Sequence, residues 1–339
     1  MSNLPILPTT VVGSHGKPGW WHACKDLHDE GTWGPYDLEE LLDDATDIAI
    51  LDQERAGVDV ISDGESRRLD GYVDGYYRII DGIRDLPMAR HAGPWGYDQQ
   101  TRYEAIGKID APAGLGIVQE FEYLHAHTQK STKVTCAGPL TFGSRIRPNN
   151  FYSDTVAVAE EFAHVINAEL KALVDAGARF IQIDEPARGN VTGAEMARLF
   201  NLATEGVEAK LAFHICFGNR FGRARFQRLY SNYFPGALEA RADQFVLEYA
   251  AREMAEIEMW KEWNDGRELG AGIVDVKSFH PETADEVAGR LRQVLKYADA
   301  DKVYINPDCG FGWSPRGMAV GKLRAMVAGT RIVREELTR

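Results

Sequence analysis

The stretch that decides the fold is Arg179-Phe180-Ile181-Gln182-Ile183-Asp184-Glu185-Pro186. A mostly apolar run ends in two acidic residues, and Gly177 just before it is typical of a helix stop. The same arrangement occurs earlier, where Gly57 precedes Val58-Asp59-Val60-Ile61-Ser62-Asp63-Gly64-Glu65. Apolar residues at three- and four-residue spacing before Gly57 predict a helix with one buried face. Both places therefore indicate a helix followed by a buried strand with an acidic end.

Eight strand-like runs of this kind occur along the chain, and most are followed by a helical pattern. They span residues 9–14, 58–63, 133–137, 179–184, 210–216, 244–248, 271–276 and 302–306. Such alternation is typical of parallel βαβ units. Eight units predict an α/β fold, a (β/α)₈ TIM barrel in which residues 1–339 form a single domain. The long connection 71–132, between the second and third strands, is predicted to be an embedded insertion.

Composition limits the partners that the chain can have. Its 339 residues include 38 basic and 51 acidic side chains, a net charge of −13, which disfavours nucleic acids and anionic membranes as partners. We expect small-molecule partners instead. The first residues lack the basic and apolar regions of a signal peptide, and no apolar window approaches a membrane span, so a cytoplasmic location is expected. Four scattered cysteines do not suggest a disulfide framework.

Metal-ligating residue types stand at the ends of three of the predicted strands. His214 and Cys216 are two residues apart, so a strand presents them on the same face. Such a pair occurs often by chance, and a free cysteine is usually a small buried hydrophobe. Position gives the pair more weight, because Glu248 and Cys309 also end strand-like runs that a barrel would bring to the same rim. One His, two Cys and one Glu suit tetrahedral zinc.

Six motifs in order resemble the catalytic carboxy-terminal barrel of the cobalamin-independent methionine synthase family. They are Thr9-Thr10-Val11-Val12-Gly13-Ser14, Asp63-Gly64-Glu65-Ser66-Arg67-Arg68-Leu69-Asp70, Ala137-Gly138-Pro139-Leu140-Thr141, Ile183-Asp184-Glu185-Pro186, the His214-to-Cys216 segment and Asn306-Pro307-Asp308-Cys309-Gly310. The resemblance covers most of the chain, from Leu7 to about Trp313. It identifies the protein as a short, single-barrel member of the family.

The resemblance implies a site for a thiol and a metal ion. Zinc would be held by the four residues named above, His214, Cys216, Glu248 and Cys309. The amino acid part of homocysteine would be bound by Gly13, Ser14, Glu65 and Asp184. The chemistry of these side chains supports the same assignment, because carboxylates bind an ammonium and the amide and hydroxyl of a Gly-Ser turn bind a carboxylate. The implied reaction is transfer of a methyl or other alkyl group to the thiol, which zinc activates by favouring its deprotonation.

Three departures from the family concern the methyl donor, the homocysteine pocket and catalysis. The run Phe142-Gly143-Ser144-Arg145 stands where the family pattern has a tryptophan that packs against folate. Gly71 replaces a methionine at the homocysteine pocket, and Lys277 replaces a histidine thought to assist catalysis. We therefore assign Lys277 and the nearby Asp275 to catalysis and expect a non-folate or otherwise altered methyl donor. A corrinoid protein is a further candidate partner, as some short members use one.

Other readings of the same residues stay open at this stage. Within zinc chemistry, the protein could conjugate a thiol to an epoxide or demethylate a methyl ether. A purely structural zinc site would typically be richer in cysteine and closed. A metal-free barrel like uroporphyrinogen decarboxylase would leave His214, Cys216 and Cys309 unexplained.

Overall fold

The computed structural model describes residues 4–69, 72–87, 101–186, 190–219, 222–224 and 227–338. Its α-helices are α1 (Gly19–Asp29), α2 (Pro35–Ala56), α3 (Ile117–Ala126), α4 (Pro139–Gly143), α5 (Thr155–Asp175), α6 (Gly193–Ala203), α7 (Trp260–Trp263), α8 (Ala284–Val294) and α9 (Arg316–Leu337). Its strands are β1 (Val60–Ile61), β2 (Asp81–Leu86), β3 (Arg102–Asp110), β4 (Ser131–Thr132), β5 (Val134–Ala137), β6 (Ile146–Arg147), β7 (Phe180–Asp184), β8 (Lys210–Ile215), β9 (Gln244–Glu248), β10 (Glu268–Val274) and β11 (Val303–Pro307). Among these helices, none is both long and apolar enough to cross a membrane.

A parallel sheet confirms the predicted α/β class. Six strands pair side by side in the order β11-β10-β9-β8-β7-β5. Helices α5, α6 and α8 lie in the connections before β7, β8 and β11, as parallel crossovers require. Because the strands are parallel, their carboxyl ends all lie at one edge. The acidic and metal-ligating residues that follow these strands therefore converge at that edge.

The first predicted strand, 9–14, is not a regular strand. Thr9 forms one isolated parallel bridge with Ile305, and Thr10 forms another with Val60. The backbone N–H of Thr9 donates to the Asp59 carboxylate at 2.8 Å instead of to a neighbouring strand. This side-chain contact explains why only single bridges form. The segment nevertheless lies between β11 and β1, and β1 pairs in parallel with β4.

The other predicted runs contain strands, although their bounds differ. The run 58–63 contains only the two residues of β1, whereas β10 begins at Glu268, before the predicted start at residue 271. The predicted helix before β1 is confirmed as α2. Gly57 ends it in the left-handed conformation, with φ of 85°, which glycine adopts at little cost.

Alternation along β7 divides its side chains between two environments. Ile181 and Ile183 belong to the large apolar core that includes the helices. Phe180 belongs to a smaller cluster on the other face, and its members come from several strands: Val12, Val60, Ala212, Val246 and Tyr304. Since strand side chains alternate, Gln182 and Asp184 lie on the same face as Phe180. Asp184 stands last, at the carboxyl edge.

The described part of the 71–132 connection contains structure of its own. A 3₁₀ helix spans Asp74–Arg78, strands β2 and β3 pair as an antiparallel hairpin, and α3 follows. Strand β3 also pairs with β6, which comes after β5 in the chain. That residues 71–132 are an insertion embedded in a single domain stays a prediction.

Glu169 on α5 anchors the start of α3, so it should matter for stability. Its carboxylate accepts hydrogen bonds from the backbone N–H groups of Leu115, Ile117 and Val118 at 2.7, 2.7 and 3.1 Å. Glu169→Ala should lower the free energy of unfolding by roughly 2–4 kcal/mol, because buried donors lose their partner. Chemical denaturation measures this change.

Glu160→Ala, on the same helix, is the matched control. Glu160 pairs with Arg198 at the surface, with both side chains more than 40% exposed, and such pairs contribute about 0–1 kcal/mol. Equal effects of the two substitutions would contradict the anchoring role of Glu169.

Candidate active site

Three metal-ligating side chains come together at the carboxyl edge of the sheet. His214 is on β8, Cys216 follows the same strand, and Cys309 follows β11. One ligand atom from each lies within 4.8 Å of the others, and the two sulfur atoms are 3.5 Å apart. The structure thus brings together three of the four residues predicted to hold zinc.

The protonation of these groups fits a metal site. Nδ1 of His214 is bonded to the Val246 carbonyl at 3.0 Å, while Nε2 is buried without a hydrogen-bond partner among the described residues. The hydrogen bond between the two thiol groups, together with the adjacent His214, holds the pKa of Cys309 well below its ordinary value, and the same bond raises the pKa of Cys216. The thiolate is the form that binds metal. A free imidazole nitrogen and two sulfur atoms are donors that suit zinc.

Glu248, the fourth predicted ligand, lies outside this compact group. It is fully buried at the end of β9, and its Oε2 is 2.8 Å from Nζ of Lys277. Oε2 also accepts a hydrogen bond from the backbone N–H of Phe217 at 3.3 Å. Oε1 is buried without a hydrogen-bond partner among the described residues. Oε2 of Glu248 therefore pairs with Lys277, and Oε1 could bind a ligand or a metal ion.

The two residues assigned to catalysis, Lys277 and Asp275, are not among the residues that line the cavity. Although burial opposes the charge of Lys277, the Glu248 carboxylate raises the lysine pKa above its ordinary value. Asp275 accepts hydrogen bonds from the backbone N–H groups of Lys277 and Ser278 at 2.7 and 3.2 Å. Asp275 thus shapes the turn that carries Lys277, and Lys277 in turn contacts Glu248.

All four residues predicted to bind the substrate line one cavity of about 410 Å³ beside the metal-ligating group. Gly13 lies so close to Glu65 that an added Cβ would be 2.5 Å from Oε1 of that residue. Ser14 is fixed by the loop after β11: its Oγ accepts from Gly312 N–H at 3.1 Å, and its carbonyl accepts from Phe311 N–H at 2.8 Å. The Gly-Ser turn is therefore held beside the Glu65 carboxylate and beside the loop after β11, which carries Cys309.

Two buried carboxylates give the cavity its cation-binding character. Glu65 has a left-handed backbone, φ 52°, and its Oε1 accepts from Thr135 Oγ1 at 2.8 Å and pairs with Arg68 at 2.9 Å. Asp184 accepts a 2.6 Å hydrogen bond from Gln182, and burial raises its pKa to about 7. A ligand ammonium would find two carboxylates here.

The wider part of the cavity includes three basic residues, Lys17, Lys25 and Arg145, that the sequence did not indicate. Lys17, Trp21, His22, Lys25, Tyr72 and Arg145 are among its lining residues. Nζ of Lys17 lies 4.0 Å from the centre of the Trp21 ring, a cation–π distance. Trp21 is buried in helix α1. Gly71 lies outside the described residues.

Comparisons with known proteins agree with this geometry. Residues 7–331 match the family model described as cobalamin-independent synthase, catalytic domain. The methionine synthase of Saccharolobus solfataricus is 37% identical, over 100% of this chain and 98% of its own. The methionine synthase of Sulfurisphaera tokodaii is 35% identical, over 99% of this chain and 95% of its own. The structure of a B12-independent methionine synthase from Shewanella sp. W3-18-1, in complex with selenomethionine, is similar with a TM-score of 0.85 and 28% identity, covering 98% and 99% of the two chains.

Gly13→Ala tests the close packing of the Gly-Ser turn. The new methyl group would lie 2.5 Å from Glu65 and 3.1 Å from Thr135, and Glu65 cannot move freely because Arg68 and Thr135 hold it. We expect a loss of roughly 1–3 kcal/mol in the free energy of unfolding, measured by chemical denaturation. Gly317→Ala is the control, because an added Cβ there meets nothing within 4 Å. A Gly13→Ala protein as stable as the control would contradict this packing.

Proposed function

The chain belongs to the cobalamin-independent methionine synthase family, and we propose that it transfers a methyl group to the thiol of homocysteine, with zinc as cofactor. The observation that carries the proposal is the arrangement in one cavity of a His-Cys-Cys group and two buried carboxylates. The first suits a metal-bound thiol, and the second suits the ammonium of an amino acid. The methyltransferase class itself follows from family membership.

Each residue has a distinct role in the proposed reaction. His214, Cys216 and Cys309 would hold zinc, and Glu248 would add its unpartnered oxygen as the fourth ligand. Zinc, when bound, supplies Lewis acidity that favours the thiolate form of the substrate. Glu65 and Asp184 bind the ammonium, and the Gly13-Ser14 turn binds the carboxylate. Lys277 holds Glu248 by an ion pair, and Asp275 positions Lys277.

We infer further that the parallel strands form a closed (β/α)₈ barrel spanning residues 1–339, with 71–132 embedded in it. Support comes from the two bridges that link residues 9 and 10 to β11 and β1, and from the pairing of β1 with β4. The apolar cluster shared by Val12, Val60, Phe180 and Tyr304 has the composition of a barrel interior. Tyr72, Val73 and Asp74 line the cavity, which favours a covering role for this segment.

The methyl donor is the less determined substrate. The run Phe142-Gly143-Ser144-Arg145, which lacks the family's tryptophan, favours a donor other than an ordinary folate. The family's independence of cobalamin argues against a corrinoid protein as partner. Its methionine synthase relatives also favour methyl transfer to homocysteine over epoxide conjugation or ether demethylation. A metal-free decarboxylase-like barrel does not agree with the family match.

Cys309→Ser tests the zinc assignment. Loss of one sulfur ligand should lower zinc affinity by about 100-fold or more and abolish methyl transfer, because serine is a poor zinc ligand. Metal analysis of purified protein measures the zinc, and methionine formation measures the activity. Cys24→Ser, on helix α1 and outside the His-Cys-Cys group, is the control and should keep both. Stoichiometric zinc in Cys309→Ser would contradict the assignment.

Asp184→Asn separates amino acid binding from metal binding. Removing this negative charge should weaken L-homocysteine binding by about tenfold or more, since a charged hydrogen bond is lost. Zinc content should stay the same, because Asp184 lies outside the metal-ligating group. Isothermal titration measures the affinity, and Asp175→Asn at the exposed end of α5 is the control. Unchanged affinity in Asp184→Asn would reject its role.

A further inference from the structure

A fully buried lysine lies beneath the candidate site without touching the cavity. Lys133 directly precedes β5, has no exposed surface, and is absent from the cavity lining. Its Nζ donates to Oε1 of Gln182 at 2.6 Å and lies 5.5 Å from the Phe180 ring. Among the described residues, no carboxylate forms an ion pair with it. Burial of an ammonium with one neutral partner is costly, so a specific role is expected.

Gln182, the hydrogen-bond partner of Lys133, also contacts Asp184 in the candidate site. Gln182 is fully buried, and its Nε2 donates to the Val12 carbonyl at 2.7 Å and to Oδ1 of Asp184 at 2.6 Å. An ammonium can only donate hydrogen bonds, so Lys133 requires the oxygen of the Gln182 amide to face it. The NH₂ group must then face Asp184. If the amide were reversed, its oxygen would face the Asp184 carboxylate, and its NH₂ would face the ammonium.

The result is a chain of hydrogen bonds with one direction, from Lys133 through Gln182 to Asp184. Oδ1 of Asp184 accepts a hydrogen bond from Gln182, and among the described residues no hydrogen bond involves Oδ2. Asp184 lines the cavity together with Glu65. Burial lowers the pKa of Lys133 to about 7, while the nearby Asp184 carboxylate raises it, so each of these two groups favours the charged form of the other.

We propose that Lys133 is a positioning residue for substrate binding, which acts through Gln182 to fix Asp184 for the ammonium of an amino acid substrate. This inference rests on the proposed function, in which Asp184 binds that ammonium. If Lys133 has this role, a residue inside the proposed barrel helps the site to bind amino acid thiols more tightly than thiols that lack an amine. A lysine that served only to fill the interior would not influence this selection.

The test compares L-homocysteine with 4-sulfanylbutanoate, which has the same thiol and carboxylate but no amine. Lys133→Met keeps the length and apolar stem of the side chain and removes the ammonium. By isothermal titration, we expect it to weaken L-homocysteine binding by about tenfold and 4-sulfanylbutanoate binding by less than about twofold. Lys302→Met is the control: Lys302 directly precedes β11 as Lys133 precedes β5, but it is exposed, so both affinities should stay the same.

The outcomes separate the inference from the function on which it rests. An equal loss for both ligands, or no loss, in Lys133→Met would overturn the positioning role while wild-type binding of L-homocysteine leaves the proposed function in place. A wild-type protein that binds neither ligand would overturn both. If Lys133→Met does not fold, Gln182→Leu interrupts the same chain at its middle, and it must show the same selective loss of L-homocysteine binding for the inference to stand.

Discussion

The register between β7 and β8 is the constraint on which the rest of the site depends. It places Asp184 opposite His214 at the carboxyl edge of the parallel sheet. Because strand side chains alternate, a slip of one residue would turn either side chain away from the cavity. Residues Cys216 and Cys309 depend on the same geometry, since each follows a strand of this sheet. The fold therefore fixes the distance between the amino acid side and the metal side of the cavity.

A second constraint is the charge buried at that edge. Three of the acidic side chains there are each linked to a cation: Glu65 to Arg68, Glu248 to Lys277, and Asp184 through Gln182 to Lys133. Buried carboxylates need such partners. Lys133 and Lys277 lie outside the cavity lining, so they do not compete for its space. This arrangement leaves Glu65 and Asp184 in the cavity lining, where a ligand can reach them.

The sequence predicted the residues whose chemistry depends on strand order, and it missed those that depend on distant contacts. Asp184, His214 and Cys309 could be found because each follows an apolar run that ends at the same edge. Lys133 looks like an ordinary first residue of a strand, and its partner Gln182 is 49 residues away. The strand expected at 9–14 failed because Asp59 takes the N–H of Thr9. The sequence also could not show that Lys277 lies outside the cavity lining and pairs with Glu248, because that contact depends on how two separate strands pack.

The central claim is that a substrate thiol joins a zinc ion held by His214, Cys216 and Cys309. X-ray absorption at the zinc edge tests it most directly, because it counts the sulfur atoms bound to the metal. The account predicts two sulfur ligands in the protein alone, from the two cysteines of the group, and one more after L-homocysteine is added. A spectrum without sulfur ligands, or one unchanged by saturating L-homocysteine, would contradict it.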